Sequence, residues 1–251
     1  MLEFNFKEQV ALITGGTRGI GKSISDTLYD LGAHVIITGT NGSEIDRLNE
    51  DGKKNNLTRK TYLEVNFLNP ISVNNFLISL NDLGKIDICI NNAGINIIKP
   101  FLDSTLADFD RVNDVNLIAP YKILQFVGKK MTEQKYGRIV NIASIWGVVT
   151  RPGRSMYTTS KHALVGLTKT LAVEWASYNV LVNAVSPGFT MTELTKSTNT
   201  KEEIEVIAKQ IPLKRFAETF EIADTVIYLA SNLNTYITGQ NIVVDGGYTI
   251  V

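Results

Sequence analysis

Short apolar segments alternate with longer segments of helical periodicity along nearly the whole chain, and this alternation restricts the fold more than any other feature. Seven segments predict strands: VALIT (10–14), HVIIT (34–38), TYLEV (61–65), IDICIN (86–91), RIVNIA (138–143), LVNAVSP (181–187) and NIVVD (241–245). Six segments between them predict helices: 21–32, 43–54, 72–84, 104–134, 155–178 and 221–231. Largely unalternating apolar strands with helical crossovers predict a parallel sheet covered on both faces. We therefore expect one doubly wound α/β domain over residues 1–251.

The charge balance and the cysteine content exclude several classes of protein. Lysine and arginine number 25 against 25 aspartate and glutamate, so no basic surplus would attract nucleic acid or an anionic membrane. No apolar run approaches the roughly 18 residues needed to span a bilayer. Cys89 is the single cysteine and cannot form an internal disulfide. With no signal-peptide pattern in the first residues, the chain is expected in the cytoplasm.

A glycine-rich segment, TGGTRGIG at 14–21, follows the first predicted strand and opens the first predicted helix. Backbone without Cβ lets a phosphate group approach closely, and the helix N-terminus favours negative charge. Gly15, Gly19 and Gly21 therefore predict a binding site for the pyrophosphate of a dinucleotide.

Tyr157 and Lys161 stand four residues apart, and Ser144 lies thirteen residues before Tyr157. A spacing of four puts two side chains on one face of a helix, and it also fits an ordinary amphipathic helix. Because nearby positive charge favours phenolate, Lys161 is expected to lower the pKa of the Tyr157 phenol. Moving that pKa from about 10 to about 7 takes roughly 4 kcal/mol, which a lysine and an oxidised nicotinamide ring would supply together. Such a tyrosine would protonate a carbonyl oxygen or deprotonate an alcohol.

The motifs together resemble the single-domain short-chain dehydrogenases/reductases, and over the whole length most resemble the 3-oxoacyl-acyl-carrier-protein reductases. The resemblance rests on TGGTRGIG at 14–21, NNAG at 91–94, Asn116 in DVNLIAP, Ser144, Tyr157 with Lys161, PGFTMT at 187–192 and the ending TYITGQNIVVDGG. It implies a Rossmann-type sheet and hydride transfer between a nicotinamide cofactor and a carbonyl or secondary alcohol.

The resemblance also implies roles for individual residues. Tyr157 would be the general acid or base, Ser144 would polarise the substrate oxygen, Lys161 would hold the nicotinamide ribose, and Asn116 would hold a water on a proton path. The implied cofactor site comprises Gly15, Thr17, Arg18, Gly19, Ile20, Gly21, Thr40, Asn66, Phe67, Asn92, Ala93, Gly94, Tyr157, Lys161, Pro187, Gly188, Thr190 and Thr192. Asn66 and Phe67 depart from the family pattern of an aspartate followed by an aliphatic residue. Only two histidines are present, His34 and His162, and no metal site is expected.

The end of the second predicted strand bears on the choice of cofactor. No carboxylate lies between Thr38 and Ser43 to bind a ribose diol, and Arg18 in the glycine-rich segment can face a 2′-phosphate. Both features favour NADP(H) over NAD(H), although Arg18 also fits a solvated surface arginine.

The substrate site is expected to include Ser144, Trp146, Arg154 and Tyr157. Trp146 would either wall the pocket or pack under its loop, and Arg154 would either bind a carboxylate or phosphate or lie exposed. Residues 189–213 predict a substrate lid, with a capping box at Thr200 and Glu203.

The sequence leaves several functions open. It favours NADPH-dependent reduction of ketones such as 3-oxoacyl thioesters, with dehydrogenation of a sugar, polyol or other secondary alcohol as the alternative. A non-catalytic dinucleotide-binding sensor is a remote third possibility. An acyl carrier protein is a candidate partner. The resemblance implies that basic residues near the active-site mouth dock the acidic carrier protein. Lys135 matches one such position, but Tyr178 stands where the family has the other, an arginine.

We also expect a homotetramer. The helices at 104–134 and 155–178 have more apolar surface than one sheet face covers, and the tail at 248–251 is apolar as well.

Overall fold

A computed structural model describes residues 3–251, apart from the side chains of Leu194 and Thr198. Its strands are β1 (Val10–Ile13), β2 (His34–Gly39), β3 (Lys60–Glu64), β4 (Ile88–Asn91), β5 (Gly137–Ile142), β6 (Val180–Pro187), β7 (Thr190–Met191), β8 (Ala217–Glu218) and β9 (Asn241–Val244). Seven of them form one parallel sheet in the order β3-β2-β1-β4-β5-β6-β9. The predicted seven-stranded doubly wound sheet is confirmed.

The helices are α1 (Gly19–Asp30), α2 (Gly42–Lys54), α3 (Pro70–Asp82), α4 (Leu106–Asn113), α5 (Ala119–Gln134), α6 (Ser155–Trp175), α7 (Glu193–Thr198), α8 (Lys201–Gln210) and α9 (Thr219–Ala230). The predicted helix at 104–134 is divided, because a π-helical turn at Asp114–Ile118 separates α4 from α5. Such single π turns are frequently found at functional sites.

Two apolar cores lie on the two faces of the sheet. On one face α1 and α9 pack together, with Ile24, Leu28 and Val226 fully buried. On the other face α3 and α5 contribute Phe76 and Val127. Burial of both faces explains why the strands are apolar throughout rather than alternating.

The order of the strands reverses between β1 and β4. From β1 the chain proceeds through β2 to β3 in one direction, and then returns to add β4 on the opposite side of β1. The loops that follow β1 and β4 therefore separate and leave a crevice at the carboxyl edge of the sheet, which is where open α/β sheets bind ligands.

The segment after β6 forms a small separate unit over that edge. Residues Thr190–Met191 pair with Ala217–Glu218, and α7 and α8 lie between these two short strands. The predicted capping box is present, since Thr200 Oγ1 accepts from the Glu203 amide at 3.2 Å and the Glu203 carboxylate accepts from the Thr200 amide at 2.8 Å. The sequence pattern does not predict α7 or the two-stranded sheet, because a helix of six residues and strands of two residues are too short to show a periodicity.

Cys89 lies within β4 and is fully buried. Burial raises the pKa of its thiol to about 12, which makes it an unreactive packing residue. Within residues 3–251 no helix has the length and apolar character needed to cross a membrane. The same residues contain no group of three or more histidine, cysteine or acidic side chains suited to hold a metal ion.

Candidate active site

The glycine-rich loop is held in its conformation by close backbone packing. Gly15 and Gly19 have φ angles of +62° and +56°, a region that disfavours other residues. A Cβ on Gly15 would lie 3.0 Å from Ala93 Cα. A Cβ on Gly21 would collide with Nδ2 of the Asn92 side chain and with the Gly15 carbonyl oxygen. Helix α1 begins just after Arg18 with no side-chain cap. Its first amides are therefore available to an anion, as a cofactor pyrophosphate requires.

The loop after β4 is tied to the glycine-rich loop by side-chain bonds. Asn92 Nδ2 donates to the carbonyl oxygens of Thr14 and Gly15, both at 2.9 Å. The amides of Asn92 and Ala93 donate to Thr14 Oγ1 at 3.0 Å. The side-chain amide of Asn92 thus holds the two loops together. Thr14 takes part through both its hydroxyl and its carbonyl group, and the motifs in the sequence did not indicate this role.

Three of the residues predicted to bind the cofactor differ in how far their side chains are buried or already hydrogen-bonded. The Phe67 side chain is buried in the core and packs edge-on against Phe76 with ring centroids 6.2 Å apart, so it is not free to contact a cofactor. Asn66 Oδ1 already accepts from the Leu68 amide at 3.0 Å, although a carbonyl oxygen can accept a second bond. Ile20 packs its side chain against the apolar core.

The Arg18 side chain is exposed and forms no hydrogen bond or ion pair with any residue that the structure describes. Thr40 is also exposed, and Thr17 lies against Gly39, where an added Cβ would come within 2.9 Å of Thr17 Cγ2. The structure adds Glu64, whose carboxylate oxygen lies 2.6 Å from the position of a Cβ on Gly42. A negative charge therefore approaches the loop after β2 from the neighbouring strand.

Asn116 lies in the π-helical turn and is almost fully buried. Its Oδ1 accepts from the Ile95 amide at 2.8 Å, while its Nδ2 donates to the Ile95 carbonyl at 2.9 Å and to Ser160 Oγ at 3.1 Å. The extra residue of the π turn thus turns this amide toward the loop after β4 and toward α6.

Lys161 is 2% exposed, and its ammonium donates to the Ile142 carbonyl at 2.7 Å. Burial lowers the pKa of Lys161 to about 8. A Cβ on Gly94 would lie 3.7 Å from Lys161 Nζ and 3.4 Å from Asn116 Oδ1. Lys161, Asn116 and the loop after β4 therefore meet at one point.

Tyr157 lies one turn before Lys161 on α6. The Lys161 ammonium is 5.5 Å from the centroid of the Tyr157 ring. Burial raises the pKa of the Tyr157 phenol, while hydrogen bonding with Ser144 and the positive charge of Arg154 act to lower it. The expected net lowering of this pKa is not found for the protein chain by itself, because desolvation of the phenolate outweighs the hydrogen bond with Ser144 and the charge of Arg154.

The segment after β6 closes the crevice above the glycine-rich loop. Gly188 follows Pro187, and a Cβ on Gly188 would lie 2.7 Å from the Asp245 backbone. Thr190 is buried, and its carbonyl accepts from Thr195 Oγ1 at 2.8 Å. Thr192 caps α7, and its methyl group lies 3.6 Å from the position of a Cβ on Gly19. The predicted residues at the nicotinamide end thus approach the predicted residues at the pyrophosphate end.

Trp146 is 6% exposed and packs edge-on against Phe189 and Tyr248, with ring centroids 6.2 Å and 6.3 Å away. Of the two alternatives for Trp146, this contact favours packing beneath the loop. It also makes Tyr248 of the C-terminal tail partly buried, which differs from the exposure expected for the whole tail.

Arg154 is 8% exposed, so the interpretation as an exposed loop arginine is wrong. It directly precedes α6, and its guanidinium carbon lies 5.5 Å from the centroid of the Trp146 ring.

Lys135 and Tyr178 do not lie at the mouth of the crevice, which corrects the expectation for a carrier-protein surface. Lys135 follows α5 and precedes β5, and Tyr178 precedes β6. The Gly137 amide donates to the Asn179 carbonyl at 3.3 Å at the amino edge of the sheet. That edge lies about 17 Å from the carboxyl edge, given about 3.3 Å per residue along a strand.

Comparisons with known proteins identify the family of this chain. Residues 15–249 match the family model adh_short_C2, described as Enoyl-(Acyl carrier protein) reductase. The 3-oxoacyl-[acyl-carrier-protein] reductase FabG of Aquifex aeolicus is 42% identical over 98% of this chain and 99% of its own. FabG of Escherichia coli is 34% identical over 98% and 100%.

Solved structures give the same result. A gluconate 5-dehydrogenase from Burkholderia cenocepacia in complex with NADP and tartrate superimposes with a TM-score of 0.88 at 28% identity, over 99% of this chain and 98% of the other. A short-chain type dehydrogenase/reductase from Mycobacterium marinum gives a TM-score of 0.87 at 33% identity, over the same shares. The chain belongs to the short-chain dehydrogenase/reductase family and is an NAD(P)-dependent oxidoreductase.

Proposed function

We propose that the protein is an NADPH-dependent ketone reductase and that its substrates are 3-oxoacyl thioesters. The observation that carries the proposal is the convergence of Tyr157, Ser144, Lys161 and Asn116 on one crevice, beside an uncapped helix N-terminus. The full-length similarity to two 3-oxoacyl reductases supports this substrate class.

The residues of the crevice divide the chemistry between them. Bound cofactor supplies the hydride when a ketone is reduced. Tyr157 gives its proton to the carbonyl oxygen, and Ser144 donates a hydrogen bond to the same oxygen. Lys161 offers positive charge that stabilises the phenolate left behind. Asn116 fixes the loop after β4, and through Ser160 it fixes the helix that carries both Tyr157 and Lys161.

Three features support NADPH as the preferred cofactor. Arg18 is exposed and unpaired among the described residues, next to the helix N-terminus. The end of β2 offers no carboxylate of its own, and Thr38 Oγ1 is engaged by the Gly15 amide at 3.1 Å. Glu64 opposes a 2′-phosphate, so Arg18 has to outweigh it.

A second substrate class is favoured by a specific observation. A gluconate 5-dehydrogenase shares the fold over nearly the full length, and buried Arg154 beside Tyr157 suits a substrate with a negative charge. Oxidation of a hydroxy acid is therefore the alternative.

A substrate panel with the intact protein tests the proposal. A 3-oxoacyl thioester, the corresponding enoyl thioester and a set of hydroxy acids are each followed by the absorbance of reduced nicotinamide. We expect turnover of the 3-oxoacyl thioester with NADPH. Turnover of the enoyl thioester or of hydroxy acids alone would contradict it.

Tyr157→Phe tests the assignment of the proton donor. We expect turnover to fall at least a hundredfold while NADPH still binds, because the phenol supplies the proton and the ring remains. Cofactor binding is measured by fluorescence titration. A variant that keeps more than a few per cent of the wild-type rate would remove Tyr157 from this role.

A further inference from the structure

Two consecutive residues at the start of α6 contain buried polar atoms that lack hydrogen-bond partners. Among the described residues, four buried side-chain atoms are unpartnered, and two of them are Arg154 Nε and Ser155 Oγ. Buried polar groups in folded proteins are nearly always paired, so two adjacent exceptions call for a partner from outside the chain.

The guanidinium of Arg154 also lacks a counter-ion. It forms no ion pair or side-chain hydrogen bond with any residue in the described part of the chain, although it is 8% exposed. Burial and the positive charge of Arg151 both lower the pKa of Arg154. A buried arginine without a counter-ion is costly, so a site for an anion would explain its retention.

The position of Arg154 relates this site to the reaction. Arg154 is three residues before Tyr157, and its charge acts on the phenol. Its guanidinium lies beside Trp146 at 5.5 Å from the ring centroid. Helix α6 starts here with no side-chain cap, so its dipole adds to the attraction for negative charge.

We propose that Arg154 and Ser155 form an anion subsite at the N-terminus of α6, which binds a carboxylate or phosphate group that the substrate carries close to its reacting carbonyl. This inference rests on the proposed carbonyl reduction at Tyr157 and adds a second substrate class to the neutral 3-oxoacyl thioesters: oxo compounds with an anionic group a few atoms from the ketone. A planar guanidinium with five donors suits either anion.

Kinetics on matched substrates test the subsite. An oxo carboxylate, its methyl ester and an oxo phosphate ester of similar length are compared by kcat/KM with NADPH. We expect kcat/KM for the better anionic substrate to be about 10- to 100-fold higher than for the neutral ester. This is the range that a charge-assisted hydrogen bond gives. The ratio of carboxylate to phosphate identifies which anion the site takes. Equal kcat/KM for anions and ester would overturn the proposal.

Two variants distinguish an anion site formed by Arg154 from a general effect of positive charge in this region. Arg154→Gln is expected to abolish the preference for the anion, so that kcat/KM for the anionic substrate and for the methyl ester differ by only about onefold. Arg151→Gln is the matched control, because Arg151 is exposed and its guanidinium carbon is 5.3 Å from the same Trp146 ring. It should keep the preference within about threefold, and an equal loss in both variants would overturn the proposal. If the glutamine variant does not fold, Arg154→Lys, which keeps the charge but loses the planar fork, should show an intermediate preference.

A thermal measurement tests the subsite without turnover. Acetate at constant ionic strength should raise the Tm of the wild type and of Arg151→Gln, and leave that of Arg154→Gln unchanged. Absence of the shift in the wild type would count against the subsite. A shift together with no turnover of any carbonyl compound would instead contradict the proposed function and leave the anion site standing.

Discussion

At the scale of single residues, the strongest electrostatic feature of the crevice is the buried ammonium of Lys161. Its pKa falls from 10.5 in the unfolded chain to about 8 in the fold. Below pH 8 the lysine is charged in both states, and its burial costs on the order of 3 kcal/mol. Between pH 8 and 10.5 the unfolded chain binds the proton that the folded chain releases, so stability rises with pH in this window.

Lys161→Met should therefore lose turnover yet unfold at higher urea concentration than the wild type at pH 7. The gain is reduced by loss of the hydrogen bond to Ile142, about 1 kcal/mol. It should shrink between pH 8 and pH 10, as the wild-type lysine becomes neutral. Urea unfolding at pH 7 and pH 9.5 measures this, with exposed Lys169→Met on the same helix as control. If Lys161→Met and the wild type differed in stability by the same amount at both pH values, the lowered pKa of Lys161 would be contradicted.

Cofactor preference also depends on single residues. Gly39→Asp would place a carboxylate at the end of β2 and repel a 2′-phosphate, but its Cβ would press on Thr17 Cγ2 at 2.9 Å and on Ile45 Cδ1 at 3.1 Å. Gly39→Ala has the same steric effect without the charge. We expect alanine to weaken both cofactors alike, and aspartate to lower the ratio of NADPH to NADH affinity at least tenfold further. Fluorescence titration of both reduced cofactors decides this, and equal ratios in the two variants would refute it.

At the scale of elements, the π-helical turn between α4 and α5 connects parts of the site that are distant in sequence. Through Asn116 it binds both backbone groups of Ile95 and the hydroxyl of Ser160. Helical periodicity in the sequence predicted one continuous helix at 104–134. It did not predict the extra residue, because a π turn changes the hydrogen-bond pattern without interrupting the apolar pattern.

Asn116→Ala should destabilise the fold by about 1–3 kcal/mol and lower turnover more than it weakens cofactor binding. The reason is that the Ile95 backbone groups and the Ser160 hydroxyl lose a shared partner near Lys161. Asn113→Ala is the control, because Asn113 is also buried but bonds only to the Phe109 carbonyl of its own helix, at 2.8 Å. Urea unfolding and steady-state kinetics are measured on both. Equal loss of turnover in the control would show that Asn116 has no special position.

At the scale of the whole molecule, apolar surface remains on the outer helices. Phe109, Ile118 and Tyr121 are exposed on the α4–α5 unit, and Val173 on α6 is 83% exposed. Ile250 and Val251 are exposed at the end of the tail. Contiguous apolar patches of this kind mark interfaces, so we retain the prediction of a homotetramer.

Light scattering at micromolar concentration should give four chains per particle. Val173→Glu should reduce the assembly, because it places a charge in the predicted interface. Ile71→Glu makes the same change at a 72% exposed residue on α3, outside the predicted interface, and should leave the assembly intact. A monomeric wild type would show that the outer faces of α5 and α6 are simply exposed to solvent.

The seven strands of the sheet, most of the helices and the glycine-rich loop could be predicted from the sequence. These features depend on periodicity, on chain direction and on residues with special backbone freedom, all of which act over a few neighbouring positions. It also placed Tyr157 and Lys161 on one face of one helix, since a spacing of four residues fixes that relation locally.

The environment of those residues could not be predicted from the sequence and depends on the folded chain. Burial, and not the spacing from Lys161, sets the direction of the Tyr157 pKa. Arg154 turned out to be interior and unpaired, and Lys135 came to the edge of the sheet opposite the crevice. Desolvation and pairing depend on which distant segments pack around a group, and that packing follows from the order of the strands and not from the residues next to it in the chain.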